Sequence, residues 1–261
     1  VSAAPEELRA EGLSLGYPGR MVIRDLDLTL PPGRVTAILG PNGCGKSTLL
    51  RACARLIAPL AGRVTLGGAD LRRIDSRALA RRLGILPQQP LAPEGITVAD
   101  LVARGRAPWR GLLAGWSARD AEAVDRALAA VAMAGLRDRP VAELSGGQRQ
   151  RVWIALALAQ ETDMVLLDEP TTWLDLPHQI EVLRLLQRLN RERGTTVISV
   201  LHDLNLAARH SDHLVLLGPE GLVAEGPPAA VLTEPALQRA FGLAARVLPD
   251  PVSATPMVVP L

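Results

Sequence analysis

Residues 35–48 read VTAILGPNGCGKST, and this stretch decides the fold. A short apolar run ends in a glycine, a glycine-rich loop follows, and the next segment, STLLRACARL at 47–56, repeats its apolar residues at helical spacing. Strand, loop and helix in that order are the context in which the pattern GxxxxGK[ST] holds phosphate. The glycines let successive backbone N–H groups turn inward, and the helix presents its positive end to the anion. Gly40, Pro41, Asn42, Gly43, Cys44, Gly45, Lys46, Ser47 and Thr48 are therefore the expected nucleotide-binding residues. Within them Lys46 can reach the β and γ phosphates, and the Ser47 hydroxyl can ligate Mg²⁺. Cys44 places a free thiol beside the phosphates, with no chemistry required of it.

Two further apolar runs rich in Val, Leu and Ile, MVLLDEP at 164–170 and TTVISVLHD at 195–203, have the pattern of central parallel strands covered on both faces. The segment QIEVLRLLQRLNRERG at 179–194 supplies a crossover helix between them. The expected fold is thus α/β, a P-loop nucleotide-hydrolase core. The first of these strands delivers Asp168 to its end, where a carboxylate can hold the metal through a water, and sets Glu169 beside it to activate the attacking water. His202 ends the other strand, within reach of a γ-phosphate. Gln88, after the strand-like LGIL at 83–86, is placed to sense the metal or the water. Upstream, ELRAEGLSLGYPGRMVIRDLDLTLPPG at 7–33 alternates in polarity between turn signals and predicts an antiparallel lobe, with the chain's one tyrosine, Tyr17, available to stack on a base.

LSGGQRQR at 144–151 poses a separate question, because one nucleotide needs only one phosphate loop. Ser145, Gly146 and Gly147 precede a helix expected to begin near Gln148 and form a second donor-rich terminus. It is either structural or serves a nucleotide held by another copy of the chain. The second reading predicts two copies paired head to tail, each closing its LSGGQ on the other's nucleotide.

The 261 residues form one expected domain, with residues 1–89 and 156–261 as the catalytic core and its β lobe, and 90–155 as an inserted helical subdomain. Hydrophobic residues make up 48%, yet no apolar run approaches the roughly 20 residues that a membrane span needs, so the chain is not expected to cross one. VSAAPEELRAEG at the start has no export-signal pattern, which makes a cytoplasmic location the expectation. A net charge of +2 with a single Tyr and a single Phe leaves no stacking platform for nucleic acid, and none is expected as partner. Two cysteines and four scattered histidines do not make a metal site built from side chains alone. The tail beyond about residue 219 reads as a hairpin, a short helix and a proline-punctuated end.

GPNGCGKST, LSGGQRQ, VLLDEPTTWLD and the histidine of VLHD together resemble the nucleotide-binding subunit of an ABC transporter, over nearly the whole chain. The resemblance implies the ABC type of P-loop fold with its antiparallel lobe and helical insert, ATP and Mg²⁺ as cofactors, and ATP hydrolysis coupled to transport. It implies that Tyr17 stacks on adenine, that Glu169 is the catalytic base, and that His202 contacts the γ-phosphate. Lys46 and Gln88 join them in catalysis, and Ser47, Gln88 and Asp168 surround the metal. Gln88 would lie in the loop that couples to the membrane subunit, while Ser145, Gly146, Gly147, Gln148 and Asp175 would contact the nucleotide site across a homodimer. The stretches LPQQPLAPEGITVADLVARGRAPW, TTWLDLPHQIEVL and LHDLNLAARHSDHLVLL are similar to the ATPases of iron–siderophore importers, a group that also serves vitamin B12 and heme, and most like the ferric-siderophore branch. Two permease subunits and an extracytoplasmic siderophore-binding protein are the implied partners, with the chain on the cytoplasmic face of the membrane. The segment from Arg104 to Arg110, with Arg106 and Trp109, is expected to form the surface that accepts the permease.

Overall fold

The computed structural model describes residues 6–88, 90–111, 115–172 and 174–261; residues 1–5, the start of the segment read for an export signal, lie outside these. The first half opens with β1 (Leu8–Tyr17) and β2 (Arg20–Leu30), an antiparallel hairpin turning at Pro18-Gly19, then β3 (Val35–Leu39) and helix α1 (Lys46–Cys53). β4 (Ala61–Leu66) and β5 (Ala69–Asp70) follow, then α2 (Ser76–Arg82) and β6 (Leu83–Leu86). The helical subdomain carries α3 (Val98–Ala103), α4 (Ala118–Ala130) and α5 (Gly146–Ala159). The chain returns through β7 (Met164–Asp168), α6 (Leu176–Arg193), β8 (Thr196–Val200), α7 (Leu204–His210), β9 (His213–Gly218) and β10 (Gly221–Gly226). It ends with α8 (Pro228–Val231), α9 (Glu234–Phe241) and a hairpin of β11 (Ala245–Pro249) and β12 (Pro256–Pro260).

The alternation read in the N-terminal segment becomes one sheet in the order β2-β1-β4-β5, antiparallel throughout its paired strands. The apolar runs become the other, in the order β10-β9-β3-β8-β7-β6, with β6, β7, β8, β3 and β9 parallel and β10 antiparallel at the edge. Every residue of β3, β7 and β8 is buried, as the near-continuous apolar runs require of strands covered on both faces. Helix α1 lies between the two sheets: Leu49 and Leu50 join Leu13 and Leu15 of β1 and Leu166 and Ile198 of the parallel sheet in one apolar cluster. That packing fixes the phosphate loop at the end of β3, beside the ends of β7 and β8, where ligands bind in open parallel sheets.

Helices α3, α4 and α5 pack on one another around Leu101, Val124, Leu128 and Ile154. Helix α5 runs unbroken from Gly146 to Ala159, so the boundary expected at 155 falls inside it; Val152, Ile154 and Ala157 tie its length to the insert. At the other end of that helix the start is two residues earlier than expected, because Ser145 itself is the cap. Its hydroxyl accepts from the Gln148 N–H at 3.2 Å, while the Gln148 Oε1 accepts from the Ser145 N–H at 3.1 Å.

The surface expected around Arg106 and Trp109 needs correcting. Arg106 is 1% exposed. Its guanidinium donates to Asp120 at 2.9 Å, to the Ala159 carbonyl at 2.8 Å and to Glu161 at 3.0 Å, and the Trp109 indole N–H donates to the Gln160 carbonyl at 2.6 Å. A buried arginine survives only when paired and hydrogen-bonded in this way. Alternation of Arg with apolar residues suggested that Arg106 faces solvent, but it turns inward to brace a helix end, Trp109 is half-buried against the same end, and Arg104, Ala107 and Arg110 are what the segment leaves exposed.

Candidate nucleotide site

The phosphate loop leaves β3 with Gly40 at φ 150° and continues through Gly43 at 81° and Gly45 at 104°. At Gly45 a Cβ would come within 2.9 Å of side-chain carbons of both Val22 and Ile23, so the β2 strand presses against the loop and glycine is required there for space as well as conformation. Gly45 is the cap of α1 and provides no side chain to satisfy the first N–H groups of that helix, which are left to an anion. Lys46 is buried, and its ammonium donates to the Gly40 and Pro41 carbonyls at 2.8 Å each, two of its three donors. The loop and its lysine line a cavity of about 310 Å³ together with Tyr17, Arg20, Val22, Ser47, Thr48, Gln88 and Glu169.

Tyr17 stands at the mouth of this cavity, 45% exposed, with its hydroxyl 3.5 Å from that of Thr48. An exposed ring at the rim of a phosphate cradle is placed to stack on a base. Arg20, paired directly with Tyr17 across the β1–β2 hairpin, brings a cation to the same cavity. Reading the sequence missed Arg20, although the short YPGR turn at 17–20 signals that its two ends face each other.

At the far side β7 delivers Asp168, whose Oδ1 accepts from the Ser47 hydroxyl at 2.8 Å. Its other oxygen, Oδ2, is buried without a hydrogen-bond partner among the described residues. Burial pushes the Asp168 carboxyl above its ordinary value, against the pull of the Ser47 hydroxyl and the charge of Arg51. A hydroxyl and an orphaned carboxylate oxygen facing a phosphate loop are the hard oxygen donors that Mg²⁺ takes alongside waters and substrate phosphates, so the residues fit that ion.

Glu169 turns out of the strand at φ 55°, a left-handed conformation uncommon outside glycine. This turn aims its carboxylate at the cavity. Burial raises its pKa, but hydrogen bonds from His202, Gln88 and Thr172 outweigh it and hold the group below the ordinary value. His202 Nε2 lies 2.8 Å from Oε1 and the Thr172 hydroxyl donates to Oε2 at 3.0 Å. Gln88, Glu169 and His202, far apart in sequence, are therefore brought together as expected. Thr172 was not foreseen; its position three residues after Glu169, within a turn, was the available signal.

Ser145, Gly146, Gly147 and Gln148 do not line this cavity, and neither does Asp175. The Ser145 end of α5 faces solvent. Asp175 caps α6, accepting from the His178 N–H at 3.4 Å with the imidazole against the same carboxylate. Of the two cysteines, Cys44 is partly buried in the loop and Cys53 is fully buried; burial raises both thiols, Cys53 to about 12.

Residues 23–172 match the ABC transporter family, and that match takes in the phosphate loop, the LSGGQ terminus and the Asp168–Glu169 pair together. The chain belongs to this family. The ABC transporter ATPase fold accounts for both sheets and the helical insert, and the family binds ATP with Mg²⁺ and couples its hydrolysis to transport. Among the relatives of this ABC ATPase is the achromobactin transport ATP-binding protein of Dickeya dadantii, 53% identical, with 95% of this chain and 92% of the relative covered. The ferric enterobactin transport ATP-binding protein of Escherichia coli is 50% identical over 97% of this chain and 94% of its own length. Among solved structures, an inward-facing ABC transporter assigned to the metal-chelate type superposes with a TM-score of 0.84 at 30% identity, covering 98% of both chains. No helix among the described residues is long and apolar enough to cross a membrane.

Proposed function

We propose that this chain is the ATP-hydrolysing subunit of a ferric-siderophore importer, working as a homodimer on the cytoplasmic face of the membrane beneath two permease subunits supplied by a siderophore-binding protein. The observation that carries the proposal is the joint one: an intact hydrolytic constellation in a chain that matches a ferric enterobactin transport ATPase over nearly its full length at 50% identity. The cargo never reaches this subunit, so its chemistry supports hydrolysis directly and the cargo only through likeness.

In this reading the phosphate loop and the N-terminus of α1 bind the phosphates, Tyr17 stacks on the adenine, and Lys46 turns from the loop carbonyls toward the β and γ phosphates. Ser47, Asp168 and Gln88 hold the Mg²⁺, which when bound neutralises charge on the phosphates. Glu169 takes the proton from the attacking water. Its lowered pKa keeps it a carboxylate at neutral pH, and His202 and Gln88 orient it. His202 meets the γ-phosphate on its exposed side. The composite half of the site comes from a second copy, since Ser145, Gly146, Gly147, Gln148 and Asp175 lie outside the chain's own cavity. The helical insert, with α5 whole, moves as the unit that brings them there, and the Gln88 loop is the link to the permease.

The reading is tested with the purified chain and in cells. Ser145→Arg should abolish hydrolysis while leaving nucleotide affinity of the isolated chain within about twofold; full activity of that homodimer sinks the head-to-tail arrangement. Deleting the gene should abolish uptake of radiolabelled iron from a siderophore, with restoration by the parent but not by Lys46→Ala. Unchanged uptake of every iron chelate alongside lost uptake of vitamin B12 or heme would reassign the cargo.

A further inference from the structure

The chain does more with the Arg104–Trp109 segment than close a subdomain. This 3₁₀ segment follows α3 and lies across the C-terminal end of α5, where four carbonyls of a helix lack internal donors. Arg106 donates to the Ala159 carbonyl and Trp109 to the Gln160 carbonyl, the last residue of α5 and its cap. The same guanidinium bonds Asp120 at the start of α4 and Glu161 just after α5, and Glu161 is bound in turn by Arg126 of α4 at 3.0 Å. Gly105 lies so close to the Leu156 carbonyl that a side chain there has no room. From the core side, Arg77 and Arg81 of α2 both donate to the Pro108 carbonyl, at 2.9 and 2.8 Å, and the Trp109 ring has the guanidiniums of Arg81 and Arg106 at 5.3 and 5.5 Å from its centroid.

Two bodies therefore meet on six residues: α2 of the core on one side, the end of α5 on the other. The opposite end of that same straight helix is Ser145-Gly146-Gly147. Fourteen residues of helix give a lever of about 21 Å, so a tilt of about 5° at the anchored end moves the serine by about 2 Å, enough to lose a hydrogen bond.

We propose that Arg106 is a positioning residue for hydrolysis: by clamping the C-terminal end of α5 to α4 and, through Pro108 and Trp109, to α2, it sets the pose in which the far end of α5 meets the nucleotide of a second copy. The inference rests on the head-to-tail dimer proposed above. It makes Arg106 act on the partner's nucleotide and not on the one its own chain binds, which a residue that merely held the fold together would not do.

The test uses the full chain in a Glu169→Gln background with ATP and Mg²⁺. Arg106→Lys keeps the charge but cannot serve Asp120, Ala159 and Glu161 at once, because its single ammonium lacks the planar fork. The ATP-dependent dimerisation constant, by light scattering, should weaken about tenfold, while affinity of the monomer for a fluorescent ATP analogue stays within twofold. Trp109→Phe, which keeps an aromatic face under the two guanidiniums but removes the donor to Gln160 together with the five-membered ring, should weaken dimerisation about threefold in the same direction and gives the reading if Arg106→Lys does not fold. Ser145→Arg is the reference: if it dimerises like the parent, the head-to-tail site itself fails and this inference with it. If Ser145→Arg blocks dimerisation but Arg106→Lys and Trp109→Phe dimerise normally, only the clamp is overturned. Equal losses in monomer affinity and dimerisation overturn it too, since they assign the residue a role on its own nucleotide.

Discussion

Replacing Glu169 by Gln isolates the proton acceptor from everything else that the residue does. The amide has the same length and adopts the same left-handed backbone at φ 55°. One oxygen remains to accept from His202 or Thr172, the two donors now at 2.8 and 3.0 Å. Exchanging a charged acceptor for a neutral one weakens these bonds by about 1 kcal/mol, too little to reshape a loop held by α1 and β7. Nothing in the phosphate loop touches the altered atoms through a hydrogen bond, so ATP affinity should stay within about threefold. Turnover should fall by about 10² to 10³, the usual worth of a general base, equivalent to about 3 to 4 kcal/mol of barrier. Since hydrolysis is the exit from the ATP-closed dimer, its lifetime should lengthen by a similar factor. Phosphate release under single-turnover conditions measures the first quantity and gel filtration in ATP the second. Turnover within threefold of the parent, or ATP affinity that falls in parallel with turnover, would refute the assignment.

His202→Ala removes the hydrogen bond that most strongly opposes burial at Glu169, whose lowered pKa keeps the base ionised as pH falls; the acid limb of the kcat profile should therefore move upward in pH, and a limb left in place removes the pairing from the mechanism. Gly45→Ala adds a Cβ against Val22 and Ile23 at a positive φ, a strain of about 1 to 3 kcal/mol; ATP affinity by fluorescence titration should drop at least fivefold, and parental affinity would show that the loop tolerates a side chain. Arg106→Met leaves Asp120, itself buried, with only its Ser117 partners, and should cost about 3 kcal/mol in urea unfolding, whereas Arg106→Met with Asp120→Asn should recover part of it. A loss below about 1 kcal/mol for the single variant would show the network to be dispensable.

How much could be read beforehand follows from which interactions are local. The phosphate loop and the buried strands β3, β7 and β8 are each written within a few consecutive residues, and they appear where spacing and polarity placed them, whereas the start of α5 falls two residues before its expected place because Ser145 is its cap. The trio of Gln88, Glu169 and His202 was legible because each ends or follows a strand of one parallel sheet, which gathers strand ends at one edge. Arg106 was misread because its partners, Asp120, Ala159 and Glu161, lie 14 to 55 residues away. Polarity at a single position does not reveal whether a charge faces water or a distant carboxylate. Arg20 was missed for a related reason: its role comes from a cross-strand pairing with Tyr17 and from no motif of its own.

The placement of the two thiols equips the protein with a built-in reporter. Cys53 is sealed in the core with its thiol pushed up to about 12, while Cys44 sits partly exposed inside the phosphate loop. An alkylating dye applied to the unmodified chain should therefore mark one position, and bound nucleotide should shield it. Occupancy of the loop during a transport cycle can then be followed by labelling rate in the native sequence, with no cysteine added or removed.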